Sequence, residues 1–403
     1  MQGHFYKPKC KCPDKKKCSC GASWAYIIDI GIDPQTGKRK QKKKGGFKTK
    51  KAAQLAAAAA IQEVEQGTYI TESDITFKDF AKEWLSYYKN SGKVKESTAR
   101  IRQHETNNLL PYLAYSKLKN VTRKQYQDML NDLKTKGLAD NTLAGIHVTG
   151  RMIFKKAIEF ELIKNDPTQY ATLPRTLKTI EELEQEEEIK YLEKEELSLF
   201  LKTAKEKGKD KDYLVFLFLA YTGMRVGELC ALKWKDIDFD EGTVNIIKTY
   251  YNPNNNVLDY KLLPPKTNTS KRKISIDEVV LEELKKHKAK QNIIKMKNRN
   301  TYHDKDFILT KEKKFLGYPE IIKTIESRMR RLLKIADLNI SLTPHSLRHT
   351  HTSLLAEAGV SLPEIMERLG HKDDETTKAV YLHVTKAMKK EASQKFSELM
   401  KSL

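Results

Sequence analysis

Nowhere does this 403-residue sequence hold the eighteen or so consecutive apolar residues of a membrane span. Its opening, MQGHFYKPKC, also lacks the apolar stretch of a secretion signal, so a cytoplasmic chain without a membrane partner is expected. Acidic residues are the scarcer sign: 53 Asp and Glu stand against 75 Lys and Arg, a net charge of +22. Such a field favours a polyanionic partner, because lysines and arginines displace the counterions of phosphates. The plainer reading is a soluble, lysine-rich protein. Cysteine is nearly confined to the first twenty residues; only Cys230 lies beyond, in an apolar helical context that reads as core. The 39% of hydrophobic residues is enough for ordinary cores, which excludes wholesale disorder.

The basic excess is uneven. Residues 1–50 carry 14 Lys and Arg against 3 Asp, half of the whole excess. The same region holds CKCPDKKKCSC, with Cys10, Cys12, Cys18 and Cys20. In a chain without a secretion signal, paired cysteines read as metal ligands before they read as disulfides. Four thiolates can close a tetrahedral structural zinc site and staple a segment too short to build its own core. C-x-C pairs are tighter than the usual ligand gaps, so a transient disulfide or plain thiols are the alternatives. Next, WAYIIDIG and KRKQKKKGGF read as strands around DPQTG, and an alanine-rich helix follows from about Thr49 to Glu65. Lysine-bearing strands backed by one helix can lie in a DNA groove.

From Ile75 the periodicity changes. Phe77, Phe80, Ala81, Trp84, Leu85 and Tyr88 keep the spacing of an amphipathic helix, and three further helical stretches follow up to NDP. These define a helical domain over 75–175. A glutamate-rich stretch within 176–190 reads as a solvated linker, not a catalytic cluster, since like-charged solvated carboxylates build no preorganised site. The last domain, 191–403, opens with helices at 194–207 and 211–221. It continues with a β-rich patch (TVNIIKTYY, NVLDYKLLP, RKISI) and fills with helices from about Tyr318. The fold class is therefore α+β and multidomain: a small β-rich module at 1–70, an all-α domain, and a mainly α domain with a small antiparallel sheet.

Several short segments of the last domain carry candidate chemistry. In AYTGMRVGEL, Arg225 sits at the mouth of a helix with Glu228 one turn on, well placed for an anion or for a plain salt bridge. PPKT offers Lys266, and LGHKDDETTKAVY offers His371 and, ten residues later, Tyr381. TPHSLRHTHTS holds His345, Arg348, His349 and His351. The i, i+4 histidine pair can grip a metal, but Ser346 stands where an H-E-x-x-H site has its glutamate, and no acidic third ligand is near. Each segment alone has a bland reading as packing, capping or a solvated loop.

Together and in this order, TGMRVGEL, PKT, PHSLRH, LGH and VY resemble the tyrosine recombinase family, the integrases of phages and conjugative transposons. The resemblance to the catalytic domain covers roughly 190–403. Residues 75–175 resemble the core-binding domain, and 1–70 the arm-binding domain of integrases. Residue by residue, it implies that Arg225 and Arg348 clamp the scissile phosphate and that Lys266 protonates the 5′-oxygen leaving group. It further implies that His345 and His371 donate to the phosphate or move protons, and that Tyr381 is the nucleophile forming a 3′-phosphotyrosyl bond. Glu228 would orient Arg225. Catalysis would then need no cofactor, metal or ATP, because the cations do the charge work and the covalent bond keeps the phosphodiester energy. The implied partners are double-stranded DNA at core and arm sites, three further copies in a homotetramer on DNA, and an accessory DNA-bending or directionality factor. The terminal helix, TKAMKKEASQKFSELMKSL, would dock on a neighbouring protomer. Rival readings are a non-catalytic DNA-binding regulator, which the complete Arg-Lys-His-Arg-His-Tyr set disfavours, and a type IB topoisomerase-like enzyme, which the basic N-terminal module disfavours.

Overall fold

The computed structural model describes residues 3–12, 20–32, 37–66, 73–92, 94–175, 191–265, 270–370, 375–385 and 400. The chain divides into two compact units, Met1–Leu177 and Lys178–Leu403.

The first unit begins with an antiparallel sheet in the order β1 (His4–Tyr6), β2 (Trp24–Ile32), β3 (Arg39–Phe47). The short β1, absent from the sequence reading, has too few residues to show alternation; it is held by pairing His4 with Ile27. Thr49 caps α1 (Lys50–Glu65) by accepting from the Ala52 amide at 3.1 Å. One face of this helix is a row of alanines, Ala53, Ala57 and Ala60, whose small side chains let it close over Tyr26 and Ile28. Because side chains alternate across a sheet, Ile27 and its cross-strand partners His4 and Lys43 occupy the face opposite the helix.

Four helices follow: α2 (Phe77–Asn90), α3 (Glu96–Leu113), α4 (Arg123–Thr135) and α5 (Asp140–Glu159). Thr76 and Thr122 cap α2 and α4. Phe77, Phe80, Trp84, Leu109, Tyr126, Ile146 and Phe154 form their common core. Between α3 and α5 lies a buried polar cluster, in which Arg102 donates to Glu105 at 2.7 Å and to Thr149 at 3.0 Å.

The second unit is built around α7 (Asp212–Thr222), preceded by α6 (Lys194–Lys207) and followed by α8 (Val226–Ala231). The run from Leu214 to Ala220 is buried on every side, so α7 is the central stave of this core. Strands β4 (Ile237–Asp238) and β5 (Thr243–Ile246) come next, then the hairpin β6 (Thr249–Tyr251) and β7 (Lys261–Leu263), then β8 (Arg272–Ser275). The order β4-β5-β8 is antiparallel and pairs Ile246 with Arg272.

A long α9 (Glu278–Lys297) then occupies a segment that the sequence reading left without a helix. Its buried residues are Val280, Leu284, His287 and Gln291, at helical spacing but half polar. The polar pair is held by backbone carbonyls: His287 Nε2 lies 2.8 Å from Ile308 O, and Gln291 donates to Phe307 O at 3.0 Å. The unit ends with α10 (Ile322–Ile335), α11 (Ser346–Glu357), α12 (Leu362–Leu369) and a helix α13 over 375–385. Among the described residues no helix is long and apolar enough to cross a membrane.

Candidate active site

The site assembles where α7 stops. Gly223 takes a left-handed conformation (φ 60°), which ends the helix and turns the chain into Met224 and Arg225. A Cβ at this glycine would lie 2.6 Å from His351 Cδ2 and 2.7 Å from Leu369 Cδ2, so the close approach of α7, α11 and α12 also demands glycine.

Arg348, on α11, is among the largest fully buried side chains of the protein. Its Nη1 donates to Gly223 O at 2.7 Å and its Nη2 to Leu369 O at 2.6 Å. One guanidinium thus ties together the ends of α7 and α12, two residues from Arg225. A buried arginine held by carbonyls at both Nη atoms keeps its charge undiminished by any carboxylate at those two contacts.

Arg225 is the residue before the first turn of α8. Its backbone amide donates to Glu228 Oε2 at 2.9 Å, and its Nη1 to Glu228 Oε1 at 3.1 Å. The Arg225 side chain is 39% exposed, whereas that of Glu228 is 4% exposed, so only the arginine offers its charge outward. Burial raises the Glu228 carboxyl, but the hydrogen bond and charge of Arg272, with the Arg225 amide, outweigh it and hold it below the usual carboxylate range.

His351 answers the question of the histidine-rich segment. Its Nδ1 lies 2.8 Å from Ala220 O, and its Nε2 accepts from Arg368 Nε at 3.2 Å. Both nitrogens are engaged, which leaves none for a metal. Burial first, then the charges of Arg368 and Arg348, push it down to about 4, so it is neutral near pH 7. His345 is exposed at the start of α11 and meets His349 edge to face, ring centroids 4.9 Å apart. Tyr381, half-buried on α13, packs against the cluster of Ala356, Ile365, Leu369 and Val384. Leu369 therefore connects the two groups: its carbonyl holds Arg348 and its side chain belongs to the cluster under Tyr381.

The structure thus brings Arg225, Glu228, Arg348 and the Tyr381 helix to one region. Lys266 and His371 lie outside the described residues, as do Cys18, the linker at 176–190 and most of the terminal tail. Two arginines went unremarked in the sequence, Arg272 and Arg368. Arg272 had a signal: in RKISI it alternates with Ile274 and Ile276, both buried, so period-2 reading turns it inward. Arg368 ends a helix beside LGH and showed none.

At the other end of the chain, the Sγ atoms of Cys10, Cys12 and Cys20 all lie within 4.8 Å of one another, with Cys20 to Cys10 at 3.7 Å. Tetrahedral thiolates about 2.3 Å from a zinc ion sit about 3.8 Å apart, so this spacing fits the ion.

An outward-facing arginine two residues from the glycine that holds a buried one offers the charge to neutralise a phosphodiester. Comparison with known proteins gives the same class. Residues 190–388 match the phage integrase family, 14–64 an arm DNA-binding domain, and 76–134 the N-terminal SAM-like domain of phage integrases. The integrase of Staphylococcus phage L54a is 33% identical over 354 residues, 81% of this chain and 94% of its own. The prophage ps2 probable integrase of Lactococcus lactis is 30% identical, covering 85% of this chain and 88% of its own. Among solved structures, the Tn1549 transposon integrase in complex with transposon right end DNA superposes with a TM-score of 0.58 at 22% identity, over 79% of this chain and all of that one. A lambda integrase tetramer bound to a Holliday junction superposes at 0.53 and 19%, over 88% and 91%. The chain belongs to the phage integrase family and is a tyrosine-type site-specific DNA recombinase.

Proposed function

We propose that this recombinase cuts and rejoins the DNA of a mobile element with Tyr381 as nucleophile and Arg225 and Arg348 as the phosphate clamp. The phenolic oxygen attacks phosphorus, the bond to the 5′-oxygen breaks, and Lys266 gives that oxygen its proton. His345 and His371 hold the phosphate oxygens or take the phenol's proton. In the second half the 5′-hydroxyl of the partner strand attacks and Tyr381 leaves. Two such exchanges, through a Holliday junction, require four protomers, as in the lambda assembly. The observation that carries this reading is the Arg348–Gly223 hydrogen bond, which holds a buried guanidinium two residues from the outward-facing Arg225.

The domains work as 1–70 on arm sites, 75–175 on core sites and 191–403 in catalysis, in the cytoplasm, with a DNA-bending or directionality factor as accessory partner. The open face of the first sheet, bearing His4, Ile27 and Lys43, is the surface for arm DNA. Cys10, Cys12 and Cys20, with Cys18 as the fourth thiolate, hold a structural zinc in the connection between β1 and β2. Elemental analysis of protein purified under reducing conditions should find one zinc per chain; none sinks the zinc reading.

For the recombinase reading, the test is a nicked suicide duplex carrying the element's core site, with EDTA present. Wild type should form a covalent protein–DNA adduct, and Tyr381→Phe should form none. An adduct that needs a divalent metal, or survives the phenylalanine, defeats the proposal.

A further inference from the structure

Glu228 accepts four hydrogen bonds, and two of them come from Arg272. Nη2 of Arg272 reaches Oε2 at 2.8 Å, and Nη1 reaches Oε1 at 3.3 Å. The Arg225 amide and Arg225 Nη1 supply the other two, so every lone-pair position of the carboxylate is filled. The Arg272 and Glu228 side chains are only 5% and 4% exposed. Arg272 is anchored in turn by its place in β8, opposite Ile246, and by donating from Nη1 to Ser270 O at 3.2 Å.

We infer that Arg272 is a positioning residue for strand cleavage: it neutralises Glu228 so that Arg225 keeps its charge for the phosphate. The inference rests on the role given above to Arg225. A carboxylate facing two guanidiniums leaves one net positive charge, and exposure decides which arginine presents it. Arg225 faces outward and Arg272 does not. Without Arg272, the buried carboxylate would direct all of its charge and two vacated acceptor positions at Arg225. That would draw the guanidinium inward and cancel it. A lysine at position 272 restores charge but not the two-pronged geometry, so it cannot fill both oxygens.

The measurement is single-turnover adduct formation by the full-length protein on two suicide duplexes. One carries the normal scissile phosphate; the other carries a methylphosphonate, whose methyl group removes the negative charge that Arg225 has to meet. Arg272→Lys should slow adduct formation on the phosphate duplex by roughly a hundredfold, the scale of losing one preorganised donor. Affinity for the core duplex should stay within about threefold, since phosphate contacts elsewhere dominate it. On the methylphosphonate duplex the gap between variant and wild type should close to within about threefold. An equal gap on both duplexes, or no gap on phosphate, overturns the inference. Because a lysine here can disturb folding, Arg272→Met with Glu228→Gln removes both buried charges together. Its rate should recover by about tenfold or more over that of Arg272→Met alone, since no carboxylate charge is left to cancel Arg225; a loss equal to or larger than that of Arg272→Met overturns the inference. If neither protein melts cooperatively, Arg272 is a folding residue and the inference falls. If wild type itself forms no Tyr381-dependent adduct, the recombinase mechanism has failed first and takes this inference with it.

Discussion

The two ends of the chain use positive charge in opposite ways. In the N-terminal sheet, β3 holds Arg39, Lys40, Lys43 and Lys44 in water, over a core of little more than Tyr26, Ile28 and a few alanines. In the C-terminal unit, Arg348 and Arg272 are taken out of water and fastened to carbonyls or to Glu228. Solvated lysines neutralise phosphates non-specifically, each release of a counterion adding salt-dependent affinity. Buried arginines cost desolvation, and in return their direction is fixed by the fold. Exposed charge is therefore suited to drawing in a polyanion, and buried charge to meeting one at a fixed geometry.

The sharpest way to break this comparison is Arg348→Met. Two buried carbonyls, Gly223 O and Leu369 O, would lose their donor, at about 1–3 kcal/mol each. Urea unfolding of the variant should show a loss of about 2–6 kcal/mol, and adduct formation should be abolished; an unchanged midpoint would mean that this arginine does not hold α7 to α12.

Acid should find the same place through His351. Its folded value, about 4, lies below the ordinary 6.5, so the unfolded chain takes up the proton first. The stability it contributes is complete above pH 6.5, is lost as pH falls toward 4, and changes no further below that. The full loss is about 3 kcal/mol. Since His287 is also lowered by burial, the informative quantity is how the difference in melting between wild type and His351→Asn changes across this window; a difference that stays constant with pH would mean that His351 is not the group responsible.

Gly223→Ala should cost about 2 kcal/mol, from the left-handed backbone and the 2.6 Å approach to His351. Thermal melting measures it, and a neutral result would show that α11 can move away. The smallest effect belongs to the solvated side of the comparison. Lys43→Ala should leave stability unchanged, weaken binding to arm DNA across sequences, and lower the salt slope of that binding by about one. A loss confined to one sequence would show base reading instead.

Much of the site could be read without coordinates because local rules govern it. Gly223 ends a helix wherever a left-handed turn is needed, so TGMR announced Arg225 at a helix mouth, and the Phe77–Trp84 spacing announced α2. Cys230 in an apolar run was correctly read as core, and it is buried. What stayed hidden depends on partners distant in sequence. α9 buries His287 and Gln291, which look solvated until the carbonyls of residues 307 and 308 are brought to them. His349 and His351 looked alike in the chain, yet one is half-buried beside His345 and the other is locked between Ala220 and Arg368.

Sequence alone determined the family resemblance, the basic N-terminus, the turn that sets Arg225 at a helix mouth and most helices, because these follow from residue chemistry and short-range periodicity. Only the tertiary structure decided which arginines are buried, which carbonyls and carboxylate hold them, and hence which one faces outward. Those outcomes depend on desolvation and on contacts made across 21 to 125 residues of chain, and neither is encoded in any local window.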